Sequence, residues 1–262
     1  MASWATKRKF TYVSVGVIAL FVIVALPTFK VLYKAPTCTD GAQNQGEQGI
    51  DCGGPCRTLC QSSFLPAVVV WADAQKIGPG LYNLGAYLEN PNITGAATKV
   101  PYEFSVFDDQ GILITQQQGT MDIPANRNTL AFIGAVDLGK RIPAKAGVRF
   151  QFLQAPLWRK AHDRLANLVY PTPLYTEDSK SALHSSSLQV TLTNTGLVSM
   201  NAVTVYAVLK DINDNEIDFS KTTVDQIAPG DKYVAPFTWP YSHDGKVVSE
   251  EILPIVAPVF DK

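Results

Sequence analysis

From Phe10 to Phe29 the chain reads FTYVSVGVIALFVIVALPTF, twenty residues without a charge. At about 1.5 Å of rise per residue, a helix of that length crosses the roughly 30 Å hydrocarbon core of a bilayer. Lys7, Arg8 and Lys9 precede the run and Lys30 and Lys34 follow it. The leading cluster favours a cytoplasmic N-terminus. A cleavable signal peptide is the rival reading, but its apolar region spans about 7–15 residues and Ala25 offers a poor small-x-small site. A lipoprotein anchor would need a lipobox beside a cysteine, and Cys38 lies well beyond the run. The expectation is an uncleaved signal-anchor over 10–33 that engages the lipid bilayer. It follows a cytoplasmic tail over 1–9, in a single-pass protein of the cell membrane whose C-terminal domains are extracytoplasmic.

That topology bears on the cysteines. All four, Cys38, Cys52, Cys56 and Cys60, fall within 23 residues. Beyond the membrane the compartment is oxidising, so closely spaced cysteines are expected to pair, with three connectivities open. Zinc is the competing explanation, but its sites favour C-x2-C pairs or accompanying histidines. A thioredoxin-like centre would want C-x-x-C opening a helix, whereas Gly53, Gly54 and Pro55 read as a turn. Two disulfides in a spacer over 34–61 are therefore expected.

Between these cysteines lie Asp40, Asn44, Glu47 and Asp51, among five glycines. Two readings stand. They are turn formers and solubilising groups in a module too small for an apolar core, or they are oxygen ligands for calcium. The spacing is not that of an EF-hand. No other cofactor is expected.

The string Cys38-x-Asp40-Gly41-x2-Asn44-x2-Glu47-x3-Asp51-Cys52-Gly53-Gly54-x-Cys56 resembles a short cysteine-rich module, C-DG-x-x-N-x-x-E-x-x-x-DCGG-x-C. That module recurs in extracellular proteins of bacteria and animals. The resemblance covers about 23 residues and implies an extracellular disulfide-bonded spacer, with no catalytic activity.

From Phe64 onward short apolar alternations are divided by Gly, Pro, Asn and Asp clusters, the pattern of β-sandwiches. VVVWA, LYNLGAYL, PYEFSVFD, GILITQQQGTM and TLAFIG read as strands. LQVTLTN, AVTVYAVLKD, NEIDFSKTTV, YVAPFTW and EILPIVAP follow in the second half. The halves also align: LGAYLEN with LQVTLTN, YEFSVFDDQGILI with VYAVLKDINDNEI, and QAPLWRK with VAPVFDK. The period is that of a duplicated domain rather than a solenoid. The fold class expected is mainly β: a transmembrane helix, a small disulfide-bonded module and two tandem Ig-like β-sandwiches over 62–160 and 174–262. The connector, 161–173, falls within LWRKAHDRLANLVYPTPLY, where Leu157, Ala161, Leu165 and Leu168 sit at helical spacing before Pro171 and Pro173, and a short helical or extended connector is expected.

Val203, Val205, Ala207 and Leu209 alternate with Thr204, Tyr206, Val208 and Lys210. Both sets include large apolar residues, so this strand is expected to be central with its outer face partly covered. Trp71, Trp158 and Trp239 are read as packing groups in preference to a glycan-stacking surface. The second half resembles small bacterial Ig-like modules of the FxLYD and CARDB type, through Asn194 to Gly196, VYAVLKDINDNEI and the turn Ile227 to Asp231. The first half departs from that pattern, with PAN for APG and ENPNITG for NTG. Members of such families serve as spacers, adhesive modules or assembly partners.

The chain holds no H-E-x-x-H, P-loop, nucleophile elbow or G-x-G-x-x-G. With a net charge of −1 and no basic stripe, nucleic acid is excluded as a partner. DDQG and DINDNE carry acidic residues that suit hairpin turns and, secondarily, calcium, and Asn92-Ile93-Thr94 is a glycosylation sequon. The expected function is non-enzymatic binding or adhesion at the cell envelope, with an envelope protein or glycan as partner. The alternative is an accessory or assembly subunit of a membrane-bound enzyme or transport complex.

Overall fold

The computed structural model describes residues 4–32, 37–58, 60–162, 164–178 and 185–260. Lys34, Asp163 and His184 lie outside them. The chain divides into two compact units, 1–56 and 57–262.

In the smaller unit, helix α1 spans Trp4–Leu32. Its stretch from Arg8 to Thr28 is long and apolar enough to cross a membrane. Pro27 lies inside the helix near its outer end, where the Thr28 hydroxyl donates to the Val24 carbonyl at 2.6 Å. The Arg8 guanidinium stacks over the Trp4 ring at 4.4 Å. A cation and an indole of this kind suit the headgroup level of a bilayer.

The larger unit is built of antiparallel sheets. In chain order its first strands are β1 (Val68–Gly78), β2 (Leu81–Glu89), β3 (Gly95–Phe107), β4 (Leu113–Ile123), β5 (Asn128–Asp137) and β6 (Val148–Phe152). They form one sheet in the order β1-β2-β5 and a second in which β3 pairs both β4 and β6. Between the sheets lies a core including Leu84, Leu88, Phe104, Ile123 and Trp158. Every strand expected from alternation in this half is present. VRFQF was not among them: five residues between two polar loops carry too few alternations to register.

The stretch read as a short helical or extended connector takes the extended form, as β7 (Arg159–His162), a 3₁₀ turn (Arg164–Asn167) and β8 (Leu168–Val169), followed by β9 (Leu174–Glu177). Its helical spacing is coincidental, because the apolar residues do not share one buried face. Ala161 is buried, whereas Leu165 and Leu168 join the core of the following sheets and Leu157 is exposed. Arg57 and Thr58 run beside β7, with the Lys160 N–H donating to the Arg57 carbonyl at 2.6 Å and a bridge between Thr58 and Arg159.

The last strands are β10 (Ser186–Asn194), β11 (Met200–Lys210), β12 (Glu216–Ile227), β13 (Lys232–Trp239), β14 (Ser249–Ile255) and β15 (Val259–Phe260). β10 pairs β13, β8 and β9, while β11 sits between β12 and β14. Val203, Val205, Ala207 and Leu209 face the core between these two sheets, with Leu188, Phe237 and Trp239. β15 returns to pair with β7, and Arg159 stacks over Phe260 at 3.9 Å.

Matched residues of the two halves do matched work. Asn90 at the end of β2 donates through Nδ2 to the carbonyls of Gly95 and Pro124, at 2.8 and 2.7 Å. Asn194 at the end of β10 donates to those of Val198 and Ile227, at 2.9 and 3.0 Å. A side-chain amide carries two N–H groups, so one asparagine satisfies two loop carbonyls at each strand end. Asn194→Ala is expected to cost about 1–3 kcal/mol by orphaning buried carbonyls, measured by denaturant unfolding. The sequon residue Asn92 is similarly occupied: its Nδ2 donates to the Leu65 carbonyl and to Asn90 Oδ1, both at 2.8 Å.

The outer face of β1-β2-β5 packs against the outer face of β12-β11-β14. Tyr87, Leu130, Val208, Phe219 and Leu253 form a buried apolar cluster there, flanked by Trp71, Phe132 and Tyr206. Trp71 lies 5.7 Å from Tyr87 and 5.5 Å from Phe219, ring to ring, and Phe132 meets Phe219 edge-on at 6.2 Å. Gly85 makes the approach feasible, since a Cβ on it would sit 2.5 Å from the Phe219 ring. This cluster covers Tyr206 and Val208, the outer set of β11.

Candidate functional site

Three polar constellations carry the chemistry of this chain. The first is the cysteine module. Cys38 is bonded to Cys56, 18 residues on, and Cys52 and Cys60 are disulfide-bonded as well. Tight turns bring them together. Gly54 adopts φ +53, and a Cβ there would meet the Gly46 carbonyl oxygen at 2.2 Å, so only glycine fits.

The acids of the module hold its backbone. Asp51 Oδ1 accepts from the N–H of Asp40 (2.9 Å) and Oδ2 from that of Gly41 (2.9 Å). Asp40 accepts from Thr37 N–H, Ala42 N–H and the Asn44 side-chain amide. The buried Glu47 accepts through Oε2 from the N–H groups of Asn44 and Asp51, at 3.2 and 3.3 Å. Its Oε1 lies 3.0 Å from Cys56 Sγ, a close sulfur–oxygen contact, since a disulfide sulfur bears no proton to donate. Among the described residues, the one group of three metal-ligating side chains drawn within 4.8 Å is Cys38, Glu47 and Cys56, and its two sulfurs are bonded to each other. The oxygens of Asp40 and Asp51 and the Oε2 of Glu47 thus accept from N–H donors and staple the loop, while Asn44 Oδ1 is buried without a hydrogen-bond partner. A reductant is expected to open the module to proteolysis, with a loss of about 2–5 kcal/mol, whereas a calcium chelator leaves the cleavage pattern unchanged.

The acidic hairpin turns follow the same logic. Asp108 Oδ1 accepts from Gln110 and Ile112 N–H, and Asp211 Oδ1 from Asn213 and Asn215 N–H. Arg141 also pairs with Asp108, and this bond, with the backbone donors, holds the Asp108 carboxyl below its ordinary range.

The second constellation was invisible in the sequence. His243 is 6% exposed, Asp218 0% and Ser186 2%. His243 Nε2 lies 3.0 Å from Asp218 Oδ2, and its Nδ1 lies 3.1 Å from Ser186 Oγ and 2.7 Å from Tyr175 Oη. Tyr241 donates to the same Asp218 oxygen at 2.5 Å. Burial and the Asp218 charge push the Tyr241 hydroxyl well above its usual range. The residue types match a Ser-His-Asp triad, but the arrangement is closed. The Ser186 hydroxyl donates to the Tyr241 carbonyl at 2.9 Å, and a nucleophile sealed in a core has no room for a reacting atom beside it. It is a buried polar plug at one end of the second core, filled out by Trp239 and Tyr241 against the imidazole.

The third lies where the two outer sheets meet. A β-bulge where Leu209 pairs with Asp218 and Lys210 with Glu216 shifts the register of β12. Asp218 therefore lies beside the core residue Leu209, while burial first, then the neighbouring Asp73 and Asp218, push the Glu216 carboxyl up to about 8. Asp73 itself accepts from Gln75 Nε2 at 3.0 Å. At the opposite edge Tyr87 donates to Glu251 at 2.7 Å and Lys210 pairs with Glu251 at 2.9 Å. Trp158 and Trp239 are buried in cores, and Trp71 lies in the inter-sheet cluster.

No family model matches the chain, and no curated protein does. Among solved structures, red sea bream transglutaminase aligns at 10% identity over 72% of this chain and 32% of its own, with a TM-score of 0.22. A β-glucuronidase from glycoside hydrolase family 2 aligns at 11% identity over 88% of this chain and 29% of its own, with a TM-score of 0.24. The chain spans about a third of each of these neighbours.

Proposed function

We propose that this chain is a non-enzymatic, single-pass envelope protein, anchored through 10–33, whose two Ig-like sandwiches bind an envelope protein or a glycan outside the cytoplasm. The observation that carries the reading is a bilayer-length apolar helix followed directly by a module in which every cysteine is oxidised. Disulfides persist in oxidising compartments, which lie across the membrane from the cytoplasm. The matched roles of Asn90 and Asn194 support a duplicated origin for the two sandwiches. β1 is an edge strand that pairs only with β2 among the described strands and exposes Val68, Val69 and Val70. Such an edge suits strand addition by a partner.

The docking of one sandwich on the other favours a second reading, an accessory or assembly subunit. Two sandwiches held in one orientation present a preset surface to a partner of fixed shape. Crosslinking in native membranes followed by mild-detergent purification separates the two. A stoichiometric membrane complex supports the subunit, and capture of surface glycan or a separate envelope protein supports binding. Recovery of a released chain with a new N-terminus near Ala25 would refute the anchor.

A further inference from the structure

We propose that the buried Glu47 carboxylate seals the Cys38–Cys56 disulfide against outside thiols, by making Cys56 a poor leaving group that returns to close the bond. The acid and both sulfurs lie within 4.8 Å of one another, and Glu47 Oε1 is 3.0 Å from Cys56 Sγ. Glu47 and Cys56 are 6% and 1% exposed. The backbone around the acid keeps it there. Its Oε2 accepts from the N–H groups of Asn44 and Asp51, so Oε1 is the oxygen left facing the sulfur. Behind it the chain has no room to draw back, because a Cβ on Gly54 would come 3.3 Å from Glu47 Cα.

Exchange begins when an outside thiolate attacks one sulfur of a disulfide and expels the other as a thiolate. Cys38 is partly buried, whereas Cys56 is buried. The open approach is therefore to Cys38. A bond forms between the reagent sulfur and Cys38 Sγ, the Cys38–Cys56 bond breaks, and its electron pair leaves on Cys56 Sγ. That charge develops against the Glu47 carboxylate, where burial leaves little water to screen it, and like charges at this range repel strongly. The acid works in the opposite sense to the cations that favour a thiolate.

The first step is thereby slowed, and its product is short-lived. A thiolate crowded by a carboxylate is the more nucleophilic for it, and this one stands beside the mixed disulfide. It attacks Cys38 Sγ, restores the original bond and expels the reagent thiolate, with no net oxidation or reduction. Full opening requires a second reagent thiolate to remove the first as a disulfide before that return. The seal concerns the module alone and stands whether or not the envelope reading holds.

The test is reduction of the full chain in detergent by excess glutathione at neutral pH, quenched by alkylation and mapped by peptide mass spectrometry. In wild type the glutathione is expected on Cys38 and the alkyl group on Cys56. Glu47→Gln, of the same size without the charge, is expected to open this bond about tenfold faster or more, the repulsion removed being worth at least that factor. Cys52 and Cys60, oxidised in the same module, are the internal control and keep their wild-type rate. Asp51→Asn weakens the hold on the Asp40 and Gly41 N–H groups with the Glu47 charge in place, and is expected to stay near the wild-type rate. Glu47→Asp draws the carboxylate back by one methylene; it serves if the first variant folds poorly, and is also expected to open faster than wild type. Glutathione found on Cys56, an unchanged rate in the Glu47 variants, or an equal gain for Cys52 and Cys60 or in Asp51→Asn would overturn the proposal.

Discussion

Phe219→Ala is expected to destabilise the larger unit by about 3–5 kcal/mol, the range for emptying a buried aromatic site, and to split its unfolding into two transitions. Phe219 is fully buried, yet it does not lie in either sandwich core. Its ring fills the space left by Gly85 and touches Trp71 and Phe132, all three from the first sandwich. Removing it opens a cavity in the interface while leaving both cores complete. The sandwiches should then unfold separately, whereas wild type is expected to melt as one unit. Denaturant titration followed by Trp71 fluorescence and by far-UV circular dichroism checks this, since the two probes coincide only for a single transition. Gly85→Val tests the same surface from the opposite side, by forcing a side chain into the ring.

Asp218→Ala is expected to cost about 3 kcal/mol or more, since it leaves several buried donors unsatisfied at about 1–3 kcal/mol each, but with a different signature. It leaves His243, Tyr241 and the Phe219 N–H without their shared acceptor. The loss should therefore fall on β9, β10 and β12, leaving the first sandwich protected from exchange. His243→Ala is expected to resemble it, because Asp218 is then buried without its partner. A residual hydrolytic activity abolished by Ser186→Ala would contradict the reading of this cluster as a plug, whereas Ser186→Ala with a stability loss alone agrees with it.

Much of this architecture was legible locally. The ten strands read from alternation are present because a period of two is printed in each strand by its own core. The outer set of β11 likewise announced that something covers Tyr206 and Val208. In LWRKAHDRLANLV the extended form is taken over the helical one, with Leu165 and Leu168 in the second core and Leu157 exposed, a division that periodicity within one segment cannot register. For Asp40, Asn44, Glu47 and Asp51, spacing shows which oxygens are near one another, but not that backbone N–H groups meet those of Asp40, Glu47 and Asp51 while Asn44 Oδ1 is buried without a partner.

By itself, then, the sequence determined the bilayer-length helix, the clustering of the cysteines and the inward face of each strand, all of which depend on neighbours a few residues away. Tertiary structure alone decided which groups meet across the fold. His243 finds Asp218 at 25 residues' separation and Ser186 at 57, and Tyr87 finds Glu251 at 164. The meeting of the two outer sheets on Phe219 is of the same kind. Such contacts form only once two sheets have been built, because the groups that make them lie on faces the chain cannot bring together before it folds.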